Sequence, residues 1–142
     1  MTRGGLSRVR LGLGPVGMLK RAGQPARRTG RVYRWCVRGE RARRSKVVAV
    51  FDKRRRATLV ASTGIGHRGR TLGLVKGKKA NRKRRLIRRL GNGLLIRRAR
   101  GDKRSFVYGV RAKRVRYVAV VPRSVARKRP KLRAYLRLAG LR

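Results

Sequence analysis

Lys46-Val47-Val48-Ala49-Val50-Phe51, then Asp52-Lys53-Arg54-Arg55-Arg56, then Ala57-Thr58-Leu59-Val60-Ala61-Ser62-Thr63 is the stretch whose reading decides the fold. Two short runs rich in β-branched residues flank a polar, highly charged segment. Such residues lose rotamer freedom in a helix but pack well on a pleated surface, so the stretch predicts a β-hairpin with a cationic tip. A third run, Arg70-Thr71-Leu72-Gly73-Leu74-Val75, follows the connection Gly64-Ile65-Gly66-His67-Arg68-Gly69 and predicts a third strand.

Downstream, residues 79–90 lack Gly and Pro, consist mostly of good helix formers and place Leu86, Ile87 and Leu90 on one helical face. Gly91-Asn92-Gly93 then terminates that predicted helix. The order is β-β-β-α. Leu94-Leu95-Ile96 is a short apolar segment after it, and residues 97–104 read as a basic turn. A second unit begins with the strand-like runs Ser105-Phe106-Val107-Tyr108-Gly109-Val110 and Val115-Arg116-Tyr117-Val118-Ala119-Val120-Val121, stopped by Pro122. Pro130 then opens a helix with Leu132, Tyr135, Leu136 and Ala139 at i, i+3, i+4 and i+7, closed by Gly140.

Upstream, residues 1–45 scatter Gly4, Gly5, Gly12, Gly14, Pro15, Gly17, Gly23 and Pro25 among arginines with no sustained period, which predicts an extended basic arm. The expected organisation is therefore α+β: an arm at 1–45, a β-β-β-α domain at 46–97 and a partial β-β-α domain at 98–142.

The charge points to a polyanion. Of 142 residues, 46 are Lys or Arg and 3 are Asp or Glu, a formal net charge of +43. A free globule with that charge repels itself, and the acids Glu40, Asp52 and Asp102 cannot offset it. Nucleic acid supplies the missing negative charge, at about one phosphate per 1.7 Å of duplex axis. The length excludes a large multidomain enzyme, and no run approaches the roughly 20 apolar residues of a spanning helix. A hydrophobic fraction of 40% is nonetheless enough to build a core. Cys36 is alone, which excludes an intrachain disulfide and a cysteine metal cluster.

Several groups are candidates for RNA contact. Lys53, Arg54, Arg55 and Arg56 at the hairpin tip can meet phosphates, Arg bidentately. In the connection, Gly66, His67, Arg68, Gly69 and Arg70, followed by Lys76, Lys78 and Lys79, combine cations with glycines that let backbone amides approach closely. Gly77-Lys78 is not a phosphate loop, because the spacing is wrong and Lys79 stands where Ser or Thr is needed. On the predicted helix, Arg82, Arg85, Arg88 and Arg89, with Lys83 and Arg84, repel one another in water and suit a lining of phosphate. Tyr33 and Trp35, in the arm, are candidates for base stacking or for packing on a neighbouring protein. Catalysis finds no partners: His67 is the only histidine and the acids are scattered. No enzyme activity, metal, cofactor or small-molecule substrate is expected.

Taken together, Arg55-Arg56-Ala57-Thr58-Leu59-Val60-Ala61, the glycines at 64, 66, 69 and 73, Gly77-Lys78, the basic helix and the terminal Leu132-Arg133-Ala134-Tyr135-Leu136-Arg137-Leu138-Ala139-Gly140-Leu141 resemble the family of small ribosomal subunit protein five, of bacterial and organellar type. The resemblance covers about residues 46–141. It implies a unit like a double-stranded-RNA-binding domain, and a structural protein that binds ribosomal RNA by shape and phosphate where messenger RNA enters the ribosome and is decoded. Partners would be ribosomal RNA and neighbouring small-subunit proteins, with no membrane. The family continues with a further strand and helix, so these are expected to be lost or supplied by another chain that covers the Leu132, Tyr135, Leu136 and Ala139 face. Divergent motifs and the acid-poor N-terminus point to a mitochondrial ribosome, with the bacterial cytoplasm as the alternative. Other readings are small-subunit protein eleven, which Val47 to Asp52 and Ala61-Ser62-Thr63-Gly64 loosely resemble, a nucleoid-type DNA-compacting protein and a cationic membrane-active protein.

Overall fold

The two strand-like runs at 46–51 and 57–62 are buried on both sides, which places them inside a covered sheet rather than on a half-exposed one. The structure is a computed structural model that describes residues 5–6, 8–36, 45–63, 87–91, 93–98, 103–111 and 114–141. A small ribbon, β1 (Gly5–Leu6) with β2 (Val9–Arg10), precedes helix α1 (Pro15–Ala22). A meander follows: β3 (Arg27–Thr29), β4 (Val32–Cys36), β5 (Lys46–Phe51) and β6 (Ala57–Ser62). A second meander comprises β7 (Ile87–Arg89), β8 (Leu94–Arg98), β9 (Arg104–Arg111) and β10 (Arg114–Pro122), and leads into α2 (Arg123–Arg127) and α3 (Arg129–Leu138). The fold is α+β, as the sequence predicts.

The two meanders share one eight-stranded sheet in the order β3-β4-β5-β6-β10-β9-β8-β7, and every neighbouring pair is antiparallel. Register carries the two faces across the join. Val48, Ala61, Ala119, Val107 and Ile96 stand side by side on five successive strands. They belong to the core that also holds Leu132, Tyr135, Leu136 and Ala139 of α3 and Val125 and Ala126 of α2. One residue along each strand, the opposite row runs Tyr33, Ala49, Val60, Val120 and Phe106. Alternation across the pleat explains the switch of face. This second row packs with Met18 of α1, which is fully buried, and with Leu11, Leu13 and Leu19.

Three sequence expectations change. The stretch 1–45 is not an extended arm where it is described: α1, β3 and β4 are integral parts of the fold, and β4 pairs with β5 along its whole length. Its arginines hid the pair Tyr33 and Trp35, which share one face of β4 and are buried only once β5 and α1 flank them, while Val32 lies in the opposite core. Within the predicted helix 79–90, residues 87–89 form β7, paired with β8; residues 79–86 and the expected strand 70–75 lie outside the described residues. The apolar run was too short to discriminate the two periods. Gly91 and Gly93 have positive φ angles of 78° and 71°, and the Leu90 and Leu94 N–H groups donate to Leu94 O and Gly91 O, so these glycines serve the β7–β8 connection here instead of capping a helix. The sheet also runs across both expected domain boundaries, since β4 pairs with β5 and β8 pairs with β9.

The terminal helix forms as predicted, with Pro130 in its first turn and Leu132, Tyr135 and Leu136 buried. That apolar face is covered by the chain's own sheet, where the sequence resemblance implied that another chain would cover it.

Candidate nucleic-acid interface

The β5–β6 tip is built by a tight turn. Arg55 N–H donates to Asp52 O at 3.0 Å, Asp52 N–H to Arg56 O at 2.9 Å, and Arg56 N–H to Asp52 Oδ1 at 2.9 Å. Arg55 takes a φ of 57°, the left-handed position that usually goes to glycine in a three-residue hairpin loop. With Asp52 occupied by the turn's own amides, Lys53, Arg54, Arg55 and Arg56 all project into solvent. Asp52 is the only acid among the described residues.

Beside the tip lies a cleft of about 410 Å³. Arg31, Lys53 and Arg54 line it from the sheet side, and Lys131, Ala134, Tyr135 and Leu138 line it from α3. The helical residues follow i, i+3, i+4 and i+7, so a single face of α3 serves the cleft. Arg31 is held there because its carbonyl accepts the Phe51 N–H at 2.8 Å. The C-terminal end of α3 is tied to β4 by Arg34 Nη2, which donates to Leu138 O at 3.4 Å. Further exposed cations, Arg123, Arg127, Lys128, Arg129, Arg133 and Arg137, lie along α2 and α3.

The other candidate residues separate clearly. Arg89 is exposed on β7, and Arg88 lies beside it on the same strand. Gly66, His67, Arg68, Gly69, Arg70, Lys76, Lys78, Lys79, Arg82 and Arg85 lie outside the described residues. Tyr33 and Trp35 are buried core residues and are not available to bases: their rings pack at 6.2 Å, Tyr33 meets Phe51 at 4.8 Å, and Trp35 Nε1 donates to Gly23 O at 3.0 Å. Arg28 sits 5.3 Å from the Tyr33 ring centre, a cation–π contact. Sequence reasoning missed Arg31 and Lys131. The α3 spacing held a signal for Lys131, whereas nothing local marks Arg31.

Two buried tyrosines are perturbed. Burial pushes the Tyr117 hydroxyl up to about 12, and it makes no hydrogen bond. Burial also raises Tyr108, against a smaller opposing effect of Arg97. Among the described residues, no three His, Cys, Asp or Glu side chains gather as a metal site, and no helix is long and apolar enough to cross a membrane. No family model matches the chain, no curated protein matches its sequence, and no solved structure matches its fold.

Proposed function

We propose that the protein binds structured RNA through its phosphates, as a structural component of a ribonucleoprotein particle. The observation that carries this reading is the exposed cationic surface of the β5–β6 tip, the adjoining cleft and the outer faces of α2 and α3, opposed by a single described carboxylate already engaged in a turn. Among the described residues nearly all large apolar side chains lie in the core, so cations dominate the exposed surface. Cations fixed on a rigid sheet and helices read the spacing of phosphates, which is the basis of shape recognition. The small ribosomal subunit is the particle suggested by the sequence resemblance alone, and with it the neighbourhood of the messenger path.

Two measurements test the reading. Crosslinking the chain in its native lysate, stripping it under denaturing conditions and sequencing the attached nucleic acid should give reads at a few small-subunit ribosomal RNA positions. Dispersed DNA reads would transfer the protein to the compacting class. In vitro, affinity for an RNA duplex should fall log-linearly with salt, by about 10³-fold between roughly 50 and 200 mM if about six phosphates are contacted. A flat salt response would remove the electrostatic basis of the reading.

A further inference from the structure

The cleft between the β5–β6 tip and α3 has two properties that phosphate contact alone does not need together. Four cations, Arg31, Lys53, Arg54 and Lys131, converge on it against the one carboxylate of Asp52. Its remaining lining is apolar, and Leu138 there is 44% exposed, one of two large hydrophobic side chains so exposed among the described residues. A duplex presents only hydrated phosphates and sugars at its backbone ridge, so a leucine facing it gains nothing. An unpaired nucleotide brings an anion and a flat, weakly polar base on the same unit.

Size agrees with that occupant. About 410 Å³ falls within the roughly 300–1,000 Å³ of small-ligand pockets and is too small for a helix. The backbone around the cleft is held by the Phe51–Arg31 bond and by the tie from Arg34 to the end of α3, so binding has to order side chains but no chain segment. We propose that this cleft receives one unpaired nucleotide of the bound RNA, its phosphate held by Arg31, Lys53, Arg54 and Lys131 and its base lying against Leu138 and the edge of Tyr135. The assignment rests on the RNA-binding reading above and gives it a substrate feature: a bulge or loop within otherwise paired RNA.

The test titrates the full chain against two RNA duplexes of equal length and flanking sequence, one fully paired and one with a single bulged nucleotide. The bulged duplex should bind about tenfold more tightly, the size of one base-stacking contact. Leu138→Asn, which removes the surface under the base, should bring the ratio of the two affinities close to one, and Lys131→Gln, which removes one of the four cations on the nucleotide's phosphate, should reduce the ratio without abolishing it. Both positions are exposed, and thermal unfolding of each variant checks that the fold is intact. Equal affinity for the two duplexes, with the paired one still bound, overturns the cleft assignment and leaves RNA binding standing. A bulge preference that neither variant reduces also overturns it. Binding to neither duplex overturns both readings.

Discussion

Replacing Arg55 by glycine should raise the stability of the protein while weakening its hold on RNA. Arg55 stands at φ 57°, in a loop closed by the Arg55 N–H to Asp52 O and Asp52 N–H to Arg56 O bonds, so the left-handed conformation is imposed by the hairpin. For a residue with a Cβ that conformation costs about 1–2 kcal/mol. Glycine removes the cost but returns about 0.5–1 kcal/mol through its greater freedom in the unfolded chain. The net gain is about 0.5–1 kcal/mol, which is roughly 2–4 °C in melting temperature for a chain of this size.

Removing a cation from a crowded tip also relieves repulsion, so the backbone contribution must be isolated. Arg55→Ala serves that purpose, since it deletes the same charge and keeps the Cβ. Melting both variants at about 1 M salt, where the Debye length is about 3 Å, suppresses the remaining electrostatics. Glycine should melt above alanine by about the stated difference. In RNA titrations, both should lower the slope of log affinity against log salt by about 0.7–0.9, the loss of one phosphate contact. An Arg55→Gly protein that melts at or below Arg55→Ala would refute the strain argument. An unchanged salt slope would refute the tip as a phosphate contact.

Other substitutions separate core from surface. Trp35→Phe removes ring volume and the bond to Gly23 O, and should cost about 1–3 kcal/mol in denaturant unfolding while leaving the RNA affinity of the folded protein unchanged. Gly109→Ala should cost about 1–3 kcal/mol or more, because a methyl at 109 falls into the Tyr117 ring packed over it from β10, and circular dichroism melts would register it. Tyr117 is buried in its protonated form, so its contribution is intact below pH 10.0 and is lost as pH climbs towards about 12. Tyr117→Phe should flatten that alkaline loss in pH-dependent melts and, by deleting an unpartnered buried hydroxyl, should cost no stability at neutral pH.

The elements legible in the sequence are those whose signal is local. The β5–β6 hairpin announces itself by two β-branched runs around a charged turn, and α3 by Pro130 and the spacing of Leu132, Tyr135 and Leu136. The elements that local sequence does not reveal depend on distant partners. β4 is a strand because β5 pairs with it and α1 covers Tyr33 and Trp35; alone, Val32-Tyr33-Arg34-Trp35-Cys36 between basic, glycine-containing segments carries too little periodicity to be recognised. β7 is three residues long, and its identity comes from pairing with β8, while the glycines at 91 and 93 that follow it suit a helix end equally well by sequence.

By itself, then, the sequence determined the excess of positive charge, the cationic tip at 53–56 and the amphipathic terminal helix, because charge and short-range periodicity are properties of neighbouring residues. Only the tertiary structure decided that Tyr33 and Trp35 are core, that one sheet joins both halves through β6 and β10, and that Arg31 and Lys131 share a cleft. Those outcomes depend on strand pairings and a helix packing that close long loops, and such contacts become favourable only when the whole apolar surface is buried together.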